Sequence, residues 1–193
     1  MTSEPLPSPT RRADAERNRA KILAVARTAF AESDTAVSMA EISRRAGVGM
    51  ATLYRNFPDR RELLEALYTD EVDAVCRPTA TVVGESPGTV LITWLHRFFA
   101  FSTSKRLIAS ELLSHADSAN PVFGESRARV LAAGRPLLAA AQRAQEVRGD
   151  LSLEQMLDMI VAIARIPGDA GYRTPILESA LDGIRLPAEV ELT

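Results

Sequence analysis

The chain has 193 residues, of which 46% are hydrophobic and 25% are charged. This composition is typical of one ordinary soluble domain or two small ones, and it excludes a wholly disordered chain. The formal net charge is −2, yet residues 1–62 carry 11 Lys or Arg against 8 Asp or Glu, whereas residues 63–193 carry 12 against 17. A basic N-terminal third indicates a module that faces a polyanion, because attraction to phosphates depends on the local surface. Solvated surface charge is the alternative explanation.

Three features of the sequence predict a cytoplasmic protein. The apolar stretch at residues 90–101 is interrupted by polar and charged residues, whereas a membrane span needs about 20 apolar residues in succession. The first ten residues carry three prolines and no apolar run, so we interpret residues 1–12 as a disordered leader rather than a secretory signal. Cys76 is the single cysteine, which excludes an internal disulfide, and we expect no metal and no cofactor.

Helical periodicity dominates the first part of the chain. Apolar residues recur at steps of three and four from Ile22 to Phe30, which predicts an amphipathic helix. Ser38 and Glu41 have the spacing of a capping box, in which each side chain accepts a hydrogen bond from the other residue's backbone amide. Gly47 is expected to end the second helix and a proline at position 58 the third. The predicted helices in this part cover residues 13–33, 38–46, 49–56 and 59–77.

The second part of the chain is also predicted to be helical. Ser152 and Gln155 form another capping box, and a proline follows a capping residue at Asn120 and at Thr174. Pro136 is expected to kink or divide the longest helix. No segment alternates in the manner of a strand, so the expected fold class is all-α. The predicted helices here cover residues 89–104, 105–116, 121–147, 152–166 and 174–184.

Residues 38–57 form the motif with the clearest functional meaning. Two short helices joined by a glycine-containing turn make a helix-turn-helix, which lays its second helix in the major groove of DNA. The inward residues pack against the first helix, and the expected core is Ala26, Phe30, Ile42, Ala46, Val48, Leu53 and Phe57. The outward residues of the second short helix are small or flexible enough to approach base edges, and they are Met50, Ala51, Thr52 and Arg55. Two further residues, Tyr54 and Arg60, are placed to contact phosphates.

The run AEISRRAGVGMATLYRNFPDRRELLEAL resembles the N-terminal domain of TetR-family transcriptional regulators. The family pattern is a helical pair ending in Gly-Val, then Thr-Leu-Tyr, an aromatic residue, a basic residue and a leucine. The segments RNFPDRRELLEALYTDEVDAV and WLHRFFAF are similar to the SbtR-like subgroup. The resemblance implies a homodimer that binds double-stranded DNA at an inverted-repeat operator and also binds a small-molecule effector. The implied domains are a leader at 1–12, a helix-turn-helix DNA-binding domain at 13–58 and a helical regulatory and dimerisation domain at 59–193.

The resemblance also assigns roles to single residues. The positions that match contacts to the DNA backbone are Ser38, Thr52, Tyr54 and Arg60. The positions that match variable contacts to bases are Met50, Ala51 and Arg55. The chain departs from the family pattern at Gly49, where a serine would cap the following helix, and at Ala51 and Arg60, where glycine and lysine are frequent.

The second half of the chain gives two further expectations. Trp94, Phe98 and Phe101 share a helical face, and with Leu112 and Met159 they are the expected pocket for an apolar or aromatic effector, with an ordinary core as the alternative. Dimerisation is expected on the last two helices, because the first of them is apolar on more than one face. The expected interface residues are Met156, Ile160, Ile163, Leu177, Leu181 and Ile184.

Three functions are compatible with these patterns. The first is a DNA-binding repressor that a small effector releases from its operator. The second is a helix-turn-helix regulator controlled by a protein partner without any small molecule, and the third is an enzyme on a helical bundle. The sequence disfavours catalysis, because it has neither a nucleophile elbow nor a glycine-rich phosphate loop, and His96 and His115 lack partners at metal-ligand spacing. We therefore expect a regulator that is not an enzyme.

Overall fold

The computed structural model describes residues 9–32, 37–77, 86–104, 108, 111–112 and 121–187. Within these residues the chain forms eight helices with defined bounds and no β-sheet, which confirms the all-α class. They are α1 (Pro9–Glu32), α2 (Met39–Ala46), α3 (Met50–Asn56), α4 (Arg60–Cys76), α5 (Pro87–Ser104), α6 (Pro121–Arg143), α7 (Leu153–Arg165) and α8 (Ala170–Asp182). None of these helices is long and apolar enough to cross a membrane. The helix predicted at 105–116 lies mostly outside the described residues. Three of its positions, 108, 111 and 112, are described, and all three are helical.

Two long helices differ from their predicted bounds. α1 begins at Pro9, so residues 9–12, which the sequence assigned to the leader, are helical, and residues 1–8 lie outside the described part. α6 ends at Arg143 and continues through Pro136 without dividing. Pro136 lies on the exposed side of α6, where water can bond the carbonyl that the missing amide leaves free.

The start of α8 corrects another prediction. The Asp169 side chain caps this helix by accepting a hydrogen bond from the Tyr172 amide at 2.9 Å. The helix therefore begins at Ala170, and Pro175 lies inside it instead of opening it. Aspartate is among the strongest capping residues, so the earlier of two possible caps is the one in use.

The chain divides into two compact units. Of the described residues, the first unit contains α1, α2, α3, α4 as far as Tyr68, and positions 108, 111 and 112. α1 packs against α2 and α3, which also pack against each other. Val48 is half-buried, and the other predicted core residues are buried, namely Ala26, Phe30, Ile42, Ala46, Leu53 and Phe57.

The second unit contains α4 from Thr69 onward, α5, α6, α7 and α8. α5 packs against α6 and α7, and α7 packs against α6 and α8. Trp94 lies in this core with 1% of its surface exposed, and its Nε1 donates a hydrogen bond to the Val75 carbonyl at 3.0 Å. A β-carbon on Gly134 of α6 would lie 2.5 Å from Cη2 of the indole. The absence of a side chain at Gly134 is therefore what lets α6 approach the tryptophan.

Glu146, just after α6, connects three parts of the second unit. Its carboxylate accepts a hydrogen bond from the Gly88 amide, in the first turn of α5, at 2.6 Å. Its carbonyl accepts one from the Leu186 amide at 3.0 Å, and the Arg148 amide donates to the Ile184 carbonyl at 2.9 Å. The start of α5, the chain after α6 and the chain after α8 are thus held together.

Candidate nucleic-acid interface

α2 begins at Ser38, whose hydroxyl accepts a hydrogen bond from the Glu41 amide at 3.2 Å. This is the first half of the predicted capping box. The Glu41 carboxylate does not complete the box as predicted, because it binds Arg44 and Arg45 at 2.7 Å each. Hydrogen bonds from Arg44 and then Arg45 lower the pKa of Glu41 from 4.5 to about 2. Glu41 thus stays ionised and keeps both arginines on the surface of α2.

The turn between α2 and α3 depends on Gly47 and Ser43. Gly47 has a φ of 60° and a ψ of 36°, a left-handed conformation that glycine adopts at little cost. The buried Ser43 hydroxyl donates to the Val48 carbonyl at 2.6 Å, and the Val48 amide donates to the Ser43 carbonyl at 3.1 Å. These paired bonds fix how the chain enters α3. Ser43 is a positioning residue that the sequence analysis missed.

α3 presents one side to the core and leaves the other bare. Leu53 is fully buried, whereas Met50 is 38% and Tyr54 45% exposed. Ala51 and Arg55 are also exposed, and Thr52 is half-buried at the edge of this face. The predicted base-facing residues therefore share the exposed side of α3.

Arg55 is folded back along its own helix. Its Nε donates to the Ala51 carbonyl at 3.2 Å, and its Nη2 donates to the Thr52 hydroxyl at 3.0 Å. To reach a base, the guanidinium must give up these two bonds, both of which are made at the surface. The exchange costs little, since water and DNA offer equivalent acceptors.

Arg60, predicted to contact a phosphate, differs from the other candidate residues. Its guanidinium donates to both carboxylate oxygens of Glu111, with Nη2 to Oε2 at 2.9 Å, and to the Val37 carbonyl. It also lies over the Phe30 ring, 5.5 Å from the ring centre. The guanidinium of Arg60 is thus hydrogen-bonded within the first unit, although the sequence predicts that it contacts DNA.

Arg19 on α1 supports the end of α3, and the sequence analysis missed this role. Its Nη1 donates to the Asn56 carbonyl at 2.9 Å, and its guanidinium lies 4.4 Å from the centre of the Phe57 ring. The positive charge satisfies a carbonyl at the C-terminus of α3 and favours the partial negative charge there. The contact joins residues 37 positions apart, so helical spacing alone could not reveal it.

The residues predicted to form the effector pocket are mostly core. Trp94 and Phe98 are 1% and 6% exposed and stack with ring centres 6.2 Å apart, while Phe101 and Met159 are half-buried. Leu112 belongs to the first unit and the other four residues to the second. Two open cavities of the second unit have other linings: about 490 Å³ beside Arg135, Gln142 and Leu151, and about 630 Å³ beside Ser86, Glu146 and Leu186.

The predicted dimer residues lie inside a single chain. Each is between 0% and 6% exposed, and the set is Met156, Ile160, Ile163, Leu177, Leu181 and Ile184. A side chain buried in its own core offers little surface to a partner, and the assignment of these six residues to a dimer interface stays a prediction. The outward apolar positions form a different stripe: Met159 and Ala162 on α7, Ile166 directly after it, and Tyr172, Ile176 and Ala180 on α8.

Two family models match the chain. One, described as transcriptional regulator SbtR-like, C-terminal domain, covers residues 86–186. The other, described as bacterial regulatory proteins, tetR family, covers residues 22–67. The second match contains the whole helix-turn-helix, and the first contains α5 to α8.

Three individual proteins illustrate the similarity to this chain, and the aligned share of the chain differs among them. A TetR transcriptional regulator from Streptomyces coelicolor is 33% identical with a TM-score of 0.71, over 88% of this chain and 99% of that one. A TetR transcription regulatory protein from Mycobacterium vanbaalenii is 32% identical with a TM-score of 0.71, over 91% and 99%. An uncharacterised HTH-type transcriptional regulator from Mycobacterium bovis is 46% identical over 41 residues, which are 21% of this chain and 22% of that protein. The match to this curated relative therefore spans about a fifth of its length.

Proposed function

The chain belongs to the TetR family of transcriptional regulators, and on this premise we propose that it is a repressor acting as a homodimer. The dimer binds an inverted-repeat operator in the cytoplasm and leaves it when a small apolar or aromatic molecule binds. Residues 13–58, together with Arg60, bind DNA, and the rest of residues 59–193 receives the effector and forms the dimer. No catalytic step or cofactor takes part.

The exposed face of α3 is the observation that carries DNA binding. Leu53 anchors the helix while Met50 and Tyr54 stay open, and α1 and α2 pack behind it. Met50 and Ala51 suit the methyl group of thymine, and Arg55 can make a bidentate contact with guanine. The DNA backbone contacts are assigned to Ser38, Thr52, Tyr54 and Arg60.

Selection from a random-sequence DNA library by the purified protein tests this proposal. The expected consensus is an inverted repeat whose half-sites lie one or more helical turns apart, about 34 to 36 Å per turn. Binding should weaken steeply with salt, because phosphate contacts release counterions. Failure to enrich any sequence, at low as well as physiological salt, would contradict DNA recognition.

We assign dimerisation to the outward stripe of α7 and α8. Tyr172 is 60% exposed, and Ile176 and Ala180 follow it at four-residue steps on one side of α8. Two helices from each protomer can bury such a stripe in a four-helix bundle across a two-fold axis. Sedimentation of the purified protein should give a dimer, and a monomer at operator-binding concentrations would contradict this arrangement.

Effector control rests on the family and on the aromatic side chains of α5. Trp94, Phe98 and Phe101 form a continuous cluster with neighbouring ring centres 6.2 and 6.0 Å apart. An aromatic ligand suits this cluster but has to open it, because Trp94 and Phe98 are buried. The ligand must also bind the DNA-competent and DNA-incompetent conformations unequally, since equal affinity shifts nothing.

Titration of small aromatic compounds into the protein–operator complex tests effector control. A coupling free energy of about 1 to 3 kcal/mol lowers operator affinity about 5- to 150-fold, and DNA must weaken ligand binding by the same factor. Compounds that bind the free protein and leave operator affinity unchanged would contradict it.

Control by a protein partner is the second candidate, and the closed packing around Trp94 favours it. In that case a cell extract releases the protein from its operator, and treating the extract with protease abolishes the release. Release by the protein-free filtrate of the extract would instead support a small effector.

A further inference from the structure

Arg60 is the first residue of α4 and a proposed DNA contact that is already part of an ion pair. The partners of its guanidinium include the Glu111 carboxylate and the Val37 carbonyl. The side chains of Arg60 and Glu111 are 27% and 19% exposed. The pair is therefore half-buried and is screened less by salt than a surface pair.

The contact with Glu111 uses the part of the guanidinium that would bind a phosphate. Nε and Nη2 donate to the two carboxylate oxygens, which is the parallel fork by which arginine also binds phosphate oxygens. One fork cannot serve two anions in this geometry. The Glu111 carboxylate and a DNA phosphate are thus alternative partners of Arg60.

Glu111 reaches Arg60 from a distant part of the sequence. It lies between α5 and α6, which belong to the second unit, yet it is itself part of the first unit. A cavity of about 40 Å³ lies beside the pair, lined by Arg60, Arg61, Leu64, Glu111 and Leu112. This space is sufficient for a water molecule, which can hydrate the carboxylate when the guanidinium leaves it.

We propose that Glu111 is an affinity-determining residue that competes with an operator phosphate for Arg60. With the pair closed, each protomer binds DNA with one phosphate contact fewer. With the pair open, Arg60 binds the phosphate, and a displacement of Glu111 therefore changes operator affinity. This inference rests on the proposed DNA-binding function.

Glu111→Gln, measured on a labelled duplex selected by the wild-type protein, tests the competition. Loss of the carboxylate charge should raise operator affinity about 2- to 5-fold, the range expected for an ion pair of this exposure. The plot of log affinity against log salt should become steeper by about 0.9 for each additional phosphate that the protein neutralises. Glu62→Gln on the same helix as Arg60 is the matched control, because it removes an equal charge from an exposed position.

The effect of Glu111→Gln should disappear in an Arg60→Ala background. An unchanged affinity and salt slope, or a rise in affinity that persists without Arg60 or equals that of Glu62→Gln, would overturn the competition. Weaker binding at an unchanged melting temperature would also overturn it, because the pair would then orient α4 for DNA. If Glu111→Gln fails to fold, Glu111→Asp, which shortens the carboxylate but keeps its charge, should give a smaller rise in affinity, and no rise overturns the proposal.

The two proposals fail in different ways. A wild-type protein that selects no DNA contradicts the repressor function itself. A wild-type protein that binds its operator with Glu111→Gln indistinguishable from it contradicts only the competition for Arg60.

Discussion

In the first unit the candidate DNA-binding face of α3 is open, with Tyr54 45% exposed, while in the second unit the largest aromatic residue, Trp94, is 1% exposed. The first unit closes a small core around Leu53 and Phe57 and leaves its flexible side chains outside. The second unit closes its core around Trp94 and leaves moderately apolar stripes outside on α7 and α8. The proposed DNA-recognition surface is thus the part of a short helix that the core leaves exposed, whereas the largest aromatic side chain of the second unit serves packing.

Trp94→Ala should show most strongly that the second unit depends on its core for stability. It removes a buried indole and its hydrogen bond to Val75, at a cost of about 3 to 5 kcal/mol in the free energy of unfolding. Stability against urea and operator affinity should both fall, and Phe101→Ala, at a half-buried position, should cost less. A Trp94→Ala protein of normal stability that has lost only its response to an effector would show that Trp94 lines a pocket.

Leu181→Glu and Tyr172→Glu should distinguish the two sides of α8. Leu181 is 1% exposed, so a carboxylate there should destabilise the chain on the order of 3 kcal/mol. Tyr172 is 60% exposed, so the same change should leave the fold intact and give monomers. Circular dichroism and sedimentation check both variants. A folded dimer for Leu181→Glu would restore the interface predicted from the sequence.

Arg55→Ala should relax the consensus at one position of each half-site, since a bidentate contact with guanine discriminates by about 1 to 3 kcal/mol. Tyr54→Phe should weaken all sequences alike, because a phosphate contact carries no sequence information. Repeating the library selection with each variant measures the difference. The same consensus from Arg55→Ala would remove Arg55 from base recognition.

Arg19→Ala should loosen the end of α3 and lower the affinity for every DNA sequence to a similar extent. The lost cation–π contact at an exposed site contributes about 0.5 to 1 kcal/mol. Arg19→Lys keeps the charge and should recover part of the affinity. A change in the salt slope with Arg19→Ala would indicate instead that Arg19 binds a phosphate directly.

Gly49→Ser should stabilise the first unit slightly. Gly49 caps α3 without a side-chain bond, and a β-carbon there meets no atom within 4 Å. A serine can cap the helix and restrict the unfolded chain, for a gain of about 0.5 kcal/mol. Gly47→Ser is the opposite control, because a left-handed φ costs a serine about 1 to 2 kcal/mol. Equal melting temperatures for the two variants would contradict both explanations.

Features that depend on residues close together in the sequence were easier to predict than those that depend on distant residues. The caps at Ser38 and Ser152 and the helix end at Gly47 depend on neighbours within four residues, and all three were predicted correctly. The predicted start of α8 was wrong, because Asp169 caps the helix in place of a second possible capping residue a few positions later.

Faces and partners were harder to predict than helix ends. Periodicity found two apolar stripes on α7 but could not tell which one faces the core. The hydrogen-bonded ion pair between Arg60 and Glu111 joins residues 51 positions apart, and no local sequence pattern predicts it. The exposed residues of α3 were correctly placed, since the turn at Gly47 and the single inward Leu53 leave little freedom.

The two hydrogen bonds that Glu146 accepts from distant amides have a consequence for local opening of the second unit. The amides of Gly88 and Leu186 both donate to this residue, one to its side chain and one to its carbonyl. Fraying of the chain after α8 therefore loosens the residue that caps the first turn of α5. Hydrogen exchange at these two amides should proceed through one shared opening, even though they are almost a hundred positions apart in the sequence. The start of α5 and the chain after α8 are thus expected to open as a single cooperative element.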